Sequence, residues 1–419
     1  MIEPKLRFKA DDGSQFPDWE EKTFNDVADY KKGPFGSALK KEIFVPKSND
    51  TVKVYEQQNA ISKDWKLERY FVTNEYFQLK MKSFAVSGGD IIVSCAGTIG
   101  EMYELPDDAE EGIINQALMR VRIKKSVINS IIFRCVFDKM ISTEGVKISN
   151  GSALKNIPPF ADMKKQSVFV PSLPEQQKIA EFLSTIDTVI AKQKETVSAW
   201  EERKKGVMQK LFSQEVRFKA DDGSDFPEWE NVTVLDLLVQ PITDGPHETP
   251  VLEENGVSFV SVEAIDNGRV NLTKRRGFIS KEYDNVCAKK YKPQLYDVYM
   301  VKSGATTGKV AIVTITDDFN IWSPLAAMRT SSKIEAFFLY YQLQSDMIQN
   351  QVWTKLSLGN QPNLGMRALE LFSAVRPCFA EQQKIADCLS SLDEVIEKRK
   401  ATLAAWEELK KGLLQQMFV

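Results

Sequence analysis

The fold of this chain is decided by the stretch Glu175–Phe212, which reads EQQKIAEFLSTIDTVIAKQKETVSAWEERKKGVMQKLF. A second copy, Glu381–Phe418, reads EQQKIADCLSSLDEVIEKRKATLAAWEELKKGLLQQMF. The two copies align without a gap and are identical at 23 of 38 positions. A period of about 206 residues is too long for a solenoid repeat or a propeller blade. The repeat therefore predicts two copies of a unit made of one domain and one helix.

Apolar residues follow steps of four and three along both copies, which is the spacing of a coiled-coil seam. The apolar seam positions are Ile179, Leu183, Ile186, Ile190, Val197 and Trp200 in the first copy, and Ile385, Leu389, Leu392, Ile396, Leu403 and Trp406 in the second. Two further pairs of seam positions are polar, Gln193/Arg399 and Lys204/Lys410. Polar seam residues can set register and partner choice. The alternative is an amphipathic helix on a local core, but repetition in equal phase favours two helices packed on each other.

A turn-rich connector is repeated as well. RFKADDGSQFPDWE, Arg7–Glu20, returns as RFKADDGSDFPEWE, Arg217–Glu230, directly after the first helix. If the second helix ends as the first does, its C-terminus at Phe418 lies near residues 1–20. The order of connector, domain and helix then closes on itself, which predicts an approximate twofold and antiparallel helices.

The first helix has the sequence of a capping box at its start, with Ser172 and Glu175 three residues apart. In the second copy Cys378 takes the place of the serine. We therefore expect the start of the second helix to fray more than that of the first.

The segments between connector and helix contain short β-branched and aromatic runs broken by Gly, Asn and Pro, which indicate strands. Each carries a Gly-rich turn, Cys95–Gly100 or Ser303–Gly308, then a short helix, Ile128–Met140 or Glu335–Ile348. A Gly/Asn loop follows each helix, at Asn150–Leu154 and Gly359–Leu364. The predicted fold class is α+β, with two β-rich domains that are each followed by a long helix. The predicted segments are connector 1–20, domain 21–171, helix 172–213, connector 214–230, domain 231–377 and helix 378–419.

Two loops near the start of the domains differ although the framework is shared. The first is YKKGPFGSALKKEIF, Tyr30–Phe44, and the second is PITDGPHETPVLEENG, Pro241–Gly256. A common framework with different loops is expected of two binding modules with different targets. Drift after duplication is the alternative, but the helices stayed similar over the same interval.

Composition excludes several functional classes. His247 is the only histidine, which rules out a His-rich metal site and leaves one residue for any Ser-His or Cys-His catalysis. The five cysteines form no CxxC pair, which favours a reduced cytoplasm over disulfides or zinc. Gly304–Val310 resembles a phosphate-binding loop but lacks its spacing and its Ser/Thr. Asn156–Phe160 resembles the motif of amino-methyltransferases, but Ile157 interrupts it. We predict no metal, no bound cofactor and no catalysis.

Taken together, the chain resembles the specificity (S) subunit of type I restriction-modification systems. The resemblance covers essentially the whole chain and is carried by Pro171–Ala180, its repeat Glu381–Ala386, the strand-turn segments Asp90–Gly100 and Asp297–Gly308, and the Gly/Asn loops. Ala380, in the place matched by Pro174, and Cys95, in the first Gly-rich turn, are minor departures.

The resemblance implies two target-recognition domains that each read one half of a bipartite DNA sequence. It implies that the helices set the spacer and dock two modification subunits, which bind S-adenosylmethionine and methylate adenine. Restriction subunits using ATP and Mg²⁺ complete the complex, and the expected location is the cytoplasm. The alternatives are a specificity subunit of a related, non-type-I system and a two-domain coiled-coil scaffold that does not bind DNA. A free-standing methyltransferase or nuclease would need a cofactor loop or a carboxylate cluster that the sequence lacks.

Candidate DNA contacts are sought in the unmatched loops and the local basic clusters, because the net charge of −3 provides no global footprint. In the first domain, amide side chains can bond adenine edges and lysines can hold phosphates. The predicted DNA-binding residues are Lys31, Lys32, Ser37, Lys40, Lys41, Gln57, Gln58 and Asn59 in the first domain, and Asp244, His247, Thr249, Lys274, Arg275 and Arg276 in the second.

Overall fold

The computed structural model describes residues 4–148, 160–356 and 362–418. Contacts divide the chain into two compact units, of which unit 1 comprises Met1–Lys192 with Ala404–Val419 and unit 2 comprises Gln193–Leu403. Each unit therefore holds one β-rich domain together with parts of both long helices. The segment boundaries expected from sequence, which treat each long helix separately, stay a prediction. The Gly/Asn loop 150–154, residues 156–159 and residues 359–361 of the loop 359–364 lie outside the described residues.

In unit 1, the strands are β1 (Glu20–Thr23), β2 (Ala28–Lys32), β3 (Thr51–Tyr55), β4 (Tyr70–Thr73), β5 (Ala85–Val86), β6 (Ile91–Ser94), β7 (Met102–Glu104), β8 (Gly112–Ile114), β9 (Leu118–Ile123) and β10 (Ser167–Val170). The helices of the first half of the chain are α1 (Phe24–Val27), α2 (Gln57–Ser62), α3 (Asn74–Tyr76), α4 (Ser130–Ile148), α5 (Phe160–Lys165) and α6 (Leu173–Phe212). The first domain has two four-stranded sheets, in the orders β2-β9-β6-β7 and β4-β3-β8-β5. A third sheet pairs β1 with β10.

In unit 2, the strands are β11 (Glu230–Thr233), β12 (Thr243–Asp244), β13 (Val257–Val260), β14 (Ile265–Asp266), β15 (Arg269–Val270), β16 (Gly277–Ile279), β17 (Val298–Val301), β18 (Val310–Ile312), β19 (Phe319–Ile321), β20 (Leu325–Met328) and β21 (Ser373–Arg376). The remaining helices are α7 (Lys281–Ala288), α8 (Ala336–Gln344), α9 (Asp346–Lys355), α10 (Met366–Glu370) and α11 (Phe379–Met417). The second domain has a six-stranded sheet, β12-β20-β17-β18-β15-β14, and a three-stranded sheet, β16-β13-β19. A two-stranded sheet pairs β11 with β21.

One inner strand of each domain, β6 in the first and β17 in the second, is buried on both faces. All four residues of β6 and of β17 are buried, as expected for continuous apolar runs with packing on both sides. The residue before each strand is a buried aspartate, and each aspartate pairs with an arginine in the same geometry. Arg122 donates to both carboxylate oxygens of Asp90 at 2.6 and 2.7 Å, and Arg329 does the same to Asp297 at 2.8 and 2.7 Å. The two domains therefore share their framework down to a specific side-chain pair.

The helices that follow these sheets depart from the predicted bounds. The first begins at Ser130 and extends to Ile148, beyond the predicted end. The second was expected as one helix over Glu335–Ile348 but is two, because Ser345 adopts an extended backbone with ψ of 153° between α8 and α9. The prediction of a single helix is therefore wrong. The apolar periodicity continues through Ser345, so the sequence pattern did not indicate the break.

In both units, the start of one long helix packs on the end of the other, so the helices are antiparallel. In unit 1 the core contains Ile179 and Leu183 of α6 together with Met417 of α11. In unit 2 it contains Leu211 of α6 together with Leu389 of α11. The predicted seam is confirmed as the inward face, because its apolar residues are buried or half-buried along both helices.

One polar seam pair is used identically in the two units. Lys410 lies 2.5 Å from Asp187 in unit 1, and Lys204 lies 2.6 Å from Asp393 in unit 2. The other polar pair is not equivalent, because Gln193 is half-buried whereas Arg399 is exposed. The placement of Arg399 in the seam is therefore corrected. At the edge of a helix pair, a long cationic side chain reaches water more cheaply than it is buried.

The connectors lie where the repeat predicts. In unit 1 the Leu6 amide donates to the Gln416 carbonyl at 3.2 Å, and the Trp19 and Phe418 rings are 6.1 Å apart. This confirms that the C-terminal end of the second helix lies beside residues 1–20. In unit 2, Phe212 and Trp229 share the corresponding core.

Each connector is joined to the start of a long helix by a buried carboxylate. Glu175 is 0% exposed and accepts from Arg7 Nε and Nη2 at 3.1 and 2.8 Å, and from Trp19 Nε1 at 3.2 Å. Arg217 and Trp229 make the same bonds to Glu381 in unit 2, at 3.1, 2.9 and 2.8 Å. Arg and Trp are donors only, so an ionised carboxylate satisfies both.

The same contacts show that the predicted capping box is wrong. The Glu175 side chain points to the connector, and the buried Ser172 hydroxyl has no hydrogen-bond partner among the described residues. The loss of the serine in the second copy therefore removes no cap. The Glu381 network matches that of Glu175, so the expectation of a more frayed second helix has lost its basis.

We predict that Glu175→Ala destabilises the protein by about 3 kcal/mol, because it leaves the Arg7 guanidinium largely buried without its carboxylate. Glu381→Ala should cost a similar amount through Arg217. Glu202→Ala is the matched control on the same helix, where an exposed side chain should change stability by less than about 0.5 kcal/mol. The measurement is urea unfolding followed by circular dichroism. Equal effects of Glu175→Ala and Glu202→Ala would contradict a structural role for the buried pair.

We also predict unequal coupling in the two seam ion pairs. The Lys204 and Asp393 side chains are 16% and 21% exposed, against 31% and 54% for Lys410 and Asp187. Less solvent screening should give about 1 kcal/mol for the first pair and about 0.3 kcal/mol for the second. Double-mutant cycles with Lys→Met and Asp→Asn would measure both. A larger coupling in the more exposed pair would refute this ranking.

Candidate nucleic-acid interface

The candidate interface of each domain is one end of the sheet that contains β6 in the first domain and β17 in the second. In unit 1, Lys32 at the end of β2 pairs with Met119, and Ser94 at the end of β6 pairs with Leu118. The loop after β2 and the Gly-rich turn after β6 therefore emerge side by side, at the start of β9. In unit 2, β12 and β17 end in the same way at the start of β20. We call these surfaces the sheet end of domain 1 and the sheet end of domain 2.

The loops after β2 and β12 contain a shared turn that the sequence comparison missed. Lys32 pairs with Met119 and Asp244 with Ala326, which places Gly33-Pro34 and Gly245-Pro246 at equivalent positions. A Cβ on Gly33 would lie 1.8 Å from the Asn115 carbonyl oxygen, and one on Gly245 would lie 1.9 Å from that of Ile321. Only glycine fits such an approach. The statement that these loops do not match is therefore corrected for the Gly-Pro turn, and it holds for the residues around it.

The predicted basic residues of the first domain lie on or next to its sheet end. Lys32, Ser37, Lys40 and Lys41 are exposed. Lys31 is half-buried, with its Nζ 4.6 Å from the centre of the Phe84 ring. The four exposed side chains can approach a phosphate without rearrangement, whereas the Lys31 side chain would first have to move away from the Phe84 ring.

The predicted amide residues divide into three different roles. The Gln57 amide donates to the Ala96 carbonyl and, at 3.3 Å, to that of Thr98, so it supports the Gly-rich turn. Gln58 is exposed and donates to the Ser62 hydroxyl at 2.6 Å.

Asn59 is only 2% exposed, and its amide bonds the backbone of Glu56, Asp64 and Leu67 at 2.8 to 3.0 Å. A buried amide with its donors and acceptor engaged cannot reach a base edge. Asn59 is therefore a structural residue, which corrects its assignment to the DNA contacts.

In the second domain a buried carboxylate gathers basic side chains at the sheet end. Asp244 is 0% exposed and forms ion pairs with Lys290 and, at 3.3 Å, with Lys302. Nε2 of His247 lies 3.0 Å from Asp244 Oδ2, while 70% of the His247 side chain is exposed. Asp244 therefore cannot meet DNA directly, which corrects its role to that of an anchor. His247 remains at the surface.

The other predicted residues of the second domain are exposed. Arg276 stacks on Trp322, with its guanidinium carbon 4.1 Å from the ring centre, and the Trp322 indole donates to Glu248 at 3.1 Å. Because the acceptor is the Glu248 backbone carbonyl, these contacts place Arg276 near the loop that carries His247. Arg275 stacks on Phe278 at 4.1 Å, Lys274 pairs with Asp266 at 2.9 Å, and Thr249 is exposed beside His247.

Sequence reasoning missed four residues of these surfaces. Lys290 and Lys302 reach the sheet end of domain 2 only through the buried Asp244. Trp322 and Phe35 were passed over because single aromatic residues carry no pattern. The two loops share a Gly-Pro dipeptide. Aligning them on this dipeptide would have shown that Phe35 and His247 occupy the same position.

The features that resemble catalytic sites have structural roles. Lys309, in the loop that resembles a phosphate-binding loop, donates to the Ile265 carbonyl at 2.9 Å, so it points away from any phosphate cradle. Burial raises the pKa of Cys95 to about 12, so its thiolate is rare at neutral pH. Within the described residues there is no cluster of His, Cys, Asp and Glu suited to a metal ion, and no helix with the length and apolarity of a membrane span.

Comparison with known proteins gives one consistent family. Residues 17–198 and 228–405 match the family described as "Type I restriction modification DNA specificity domain". The chain is 23% identical to the type I restriction enzyme MjaVIII specificity subunit of Methanocaldococcus jannaschii, over 97% of this chain and 94% of that protein. It is 25% identical to the putative MjaX specificity subunit of the same organism, over 49% of each.

Solved structures show the same fold at low sequence identity. The S subunit of a type I restriction-modification system from M. genitalium matches with a TM-score of 0.52 and 15% identity, over 100% of this chain and 99% of that one. A chain from a structural study of complex assembly and conformational transition in the type I system matches with a TM-score of 0.55 and 15% identity, over 96% and 98%. With two matched domains that account for most of its length, the chain belongs to the type I restriction-modification DNA specificity family, as a non-catalytic specificity subunit with two recognition domains.

Proposed function

We propose that the sheet end of each domain reads one half of a bipartite DNA sequence. The observation that carries this proposal is the shared Gly-Pro turn, which sits at one register position in both domains and is surrounded by different side chains. A common scaffold with different presented groups is what two readers of different half-sites require.

Phosphate contacts in the first domain come from lysines at the end of β2 and on the loop that follows it. Lys32, Lys40 and Lys41 are exposed and form no ion pair within the described part of the chain. Each can therefore neutralise a phosphate without first breaking an internal contact. Ser37 and Gln58 lie on the same domain as exposed groups able to hydrogen-bond a base or a phosphate.

The second domain offers arginine and histidine in addition to lysine. Arg276 is pre-oriented by stacking on Trp322, which lowers the entropy lost when it forms a bidentate contact with guanine. The exposed His247 ring lies above the buried Asp244 carboxylate, with Nε2 3.0 Å from Oδ2. The two domains thus differ in chemistry at equivalent places.

Partner subunits complete the function in this proposal. With a net charge of −3, the chain has limited attraction for phosphates, and DNA affinity then depends on basic surfaces of other subunits. Two modification subunits fit a chain with two equivalent units, and they would carry S-adenosylmethionine. Restriction subunits would carry ATP and Mg²⁺. A cytoplasmic location follows from the same proposal, because the DNA to be methylated is there.

The first test is exchange of residues 21–171 for the corresponding domain of another family member. We expect the target to change in one half and to keep the other half and the spacer, because each sheet end is built within its own unit. Methylation-site sequencing of cells that contain the chain with its partner subunits gives the result. Exchange of residues 231–377 is the matched control and should change the opposite half. A change in both halves after one exchange would refute the modular proposal.

The second test concerns the long helices as a spacer. One heptad inserted after Lys192 in α6 and one after Leu403 in α11 keep the seam phase, because seven residues are two coiled-coil turns. Each insertion adds about 10 Å of helix, which corresponds to about three base pairs. We expect the same two half-sites with a longer spacer, measured by methylation-site sequencing. An unchanged spacer in an active assembly would contradict the role proposed for the helices.

A further inference from the structure

Phe35 is the most exposed large apolar side chain among the described residues, with 90% of its surface accessible. A single exposed apolar residue is common on protein surfaces and assigns no function by itself. The position of Phe35 is more informative, because it follows the Gly-Pro turn at the sheet end of domain 1.

The backbone around Phe35 is anchored on both sides. The Gly33 amide donates to the Leu118 carbonyl at 2.8 Å, and Pro34 is buried. After the turn, the Ala38 amide donates to the Phe35 carbonyl at 2.8 Å. The ring is therefore presented outward by a fixed loop, while the side chain itself lacks an apolar neighbour to cover it.

The second domain presents His247 at the same position. Asp244 and Lys32 occupy equivalent places in the strand pairing, and both are followed by Gly-Pro. The residue after each proline is exposed, at 70% for the His247 side chain. The two domains differ elsewhere in these loops, but each exposes a planar ring at the equivalent position after the Gly-Pro turn.

The surroundings of Phe35 fit nucleic acid. Lys32, Lys40 and Lys41 lie within a few residues of it along the same loop and are exposed. An apolar ring flanked by cations suits duplex DNA, because an apolar side chain can insert between base steps while lysines contact the neighbouring phosphates. A protein partner that buried the ring would also have to pair or desolvate those lysines.

We propose that Phe35 packs against base faces in the first half-site, and that the residue after the Gly-Pro turn is the equivalent specificity-determining position of both domains. The ligand class is double-stranded DNA. This inference rests on the proposed reading of one half-site by each domain. It assigns to Phe35 an apolar contact with bases, and it assigns to the neighbouring lysines the contacts with phosphates.

The test uses the full chain assembled with its modification subunits, and a DNA duplex that carries the target found by methylation-site sequencing. We expect Phe35→Ala to raise the Kd about 5- to 150-fold, the range that alanine substitution gives for one base–aromatic contact in complexes with single-stranded nucleic acid. The salt dependence of binding should stay unchanged, because no phosphate contact is lost. Lys32→Ala should instead reduce the slope of log K against log salt by about 0.9.

Leu79→Ala is the matched control, because Leu79 is a 74% exposed apolar residue of the same domain on a different segment, Phe77–Met81. It should bind as the parent chain does. Thermal unfolding of both variants checks that they are folded, which is expected for exposed positions. A 2-aminopurine placed in turn at each base of the first half-site should change in fluorescence with Phe35→Ala at one or two positions, and a probe in the second half-site should not change.

Three results would overturn the inference: unchanged Kd for Phe35→Ala, an equal loss for Leu79→Ala, or a loss of assembly with the modification subunits in place of a loss of DNA affinity. The last result would make Phe35 a protein contact. These outcomes are distinct from failure of the proposed function, in which the unaltered assembly itself would not select between target and non-target duplexes.

Discussion

The architecture depends on one buried carboxylate in each unit, Glu175 or Glu381. It is removed from water at the start of a long helix, so it must be compensated by the guanidinium and the indole N–H of the connector. This requirement explains why the connector and the helix start are repeated together. The next residue, Gln176 or Gln382, binds backbone groups before the short helix of its own domain, at 2.7 to 3.1 Å. Two adjacent residues of the repeated motif therefore tie the helix start to the connector, through the glutamate, and to the domain, through the glutamine.

The conserved framework allows the binding surfaces to differ. Equivalent Arg–Asp pairs support the central strands, and equivalent Gly-Pro turns end the neighbouring strands. What these turns present differs between the domains in charge and in shape. Lys32 is exposed in the first domain, whereas Asp244 at the same position is buried, pairs with two lysines and lies 3.0 Å from His247 Nε2. A change of one residue type at a fixed place thus reorganises the charges around it, because a buried carboxylate recruits cations.

Much of the fold was predictable from sequence because the chain repeats itself. The periodicity along Glu175–Phe212 predicted the seam, and the repeated connector predicted the position of Phe418 and the antiparallel pair. The predictions that were wrong relied on local patterns alone. Ser172 and Glu175 have the spacing of a cap, yet tertiary contacts with Arg7 and Trp19 take the carboxylate away. Likewise, an amide in an exposed-looking run, Asn59, proved to be buried.

The sequence by itself determined the duplicated plan, the long helices, the family resemblance and the absence of a recognisable catalytic motif, because each of these depends on spacing along the chain. Tertiary structure alone decided which side chains face outward at the sheet ends. Exposure depends on strand register and on partners distant in sequence, such as Lys302 beside Asp244 or Trp322 beneath Arg276. A loop residue that contacts DNA and one that holds the loop together have the same composition, and only their partners in space distinguish them.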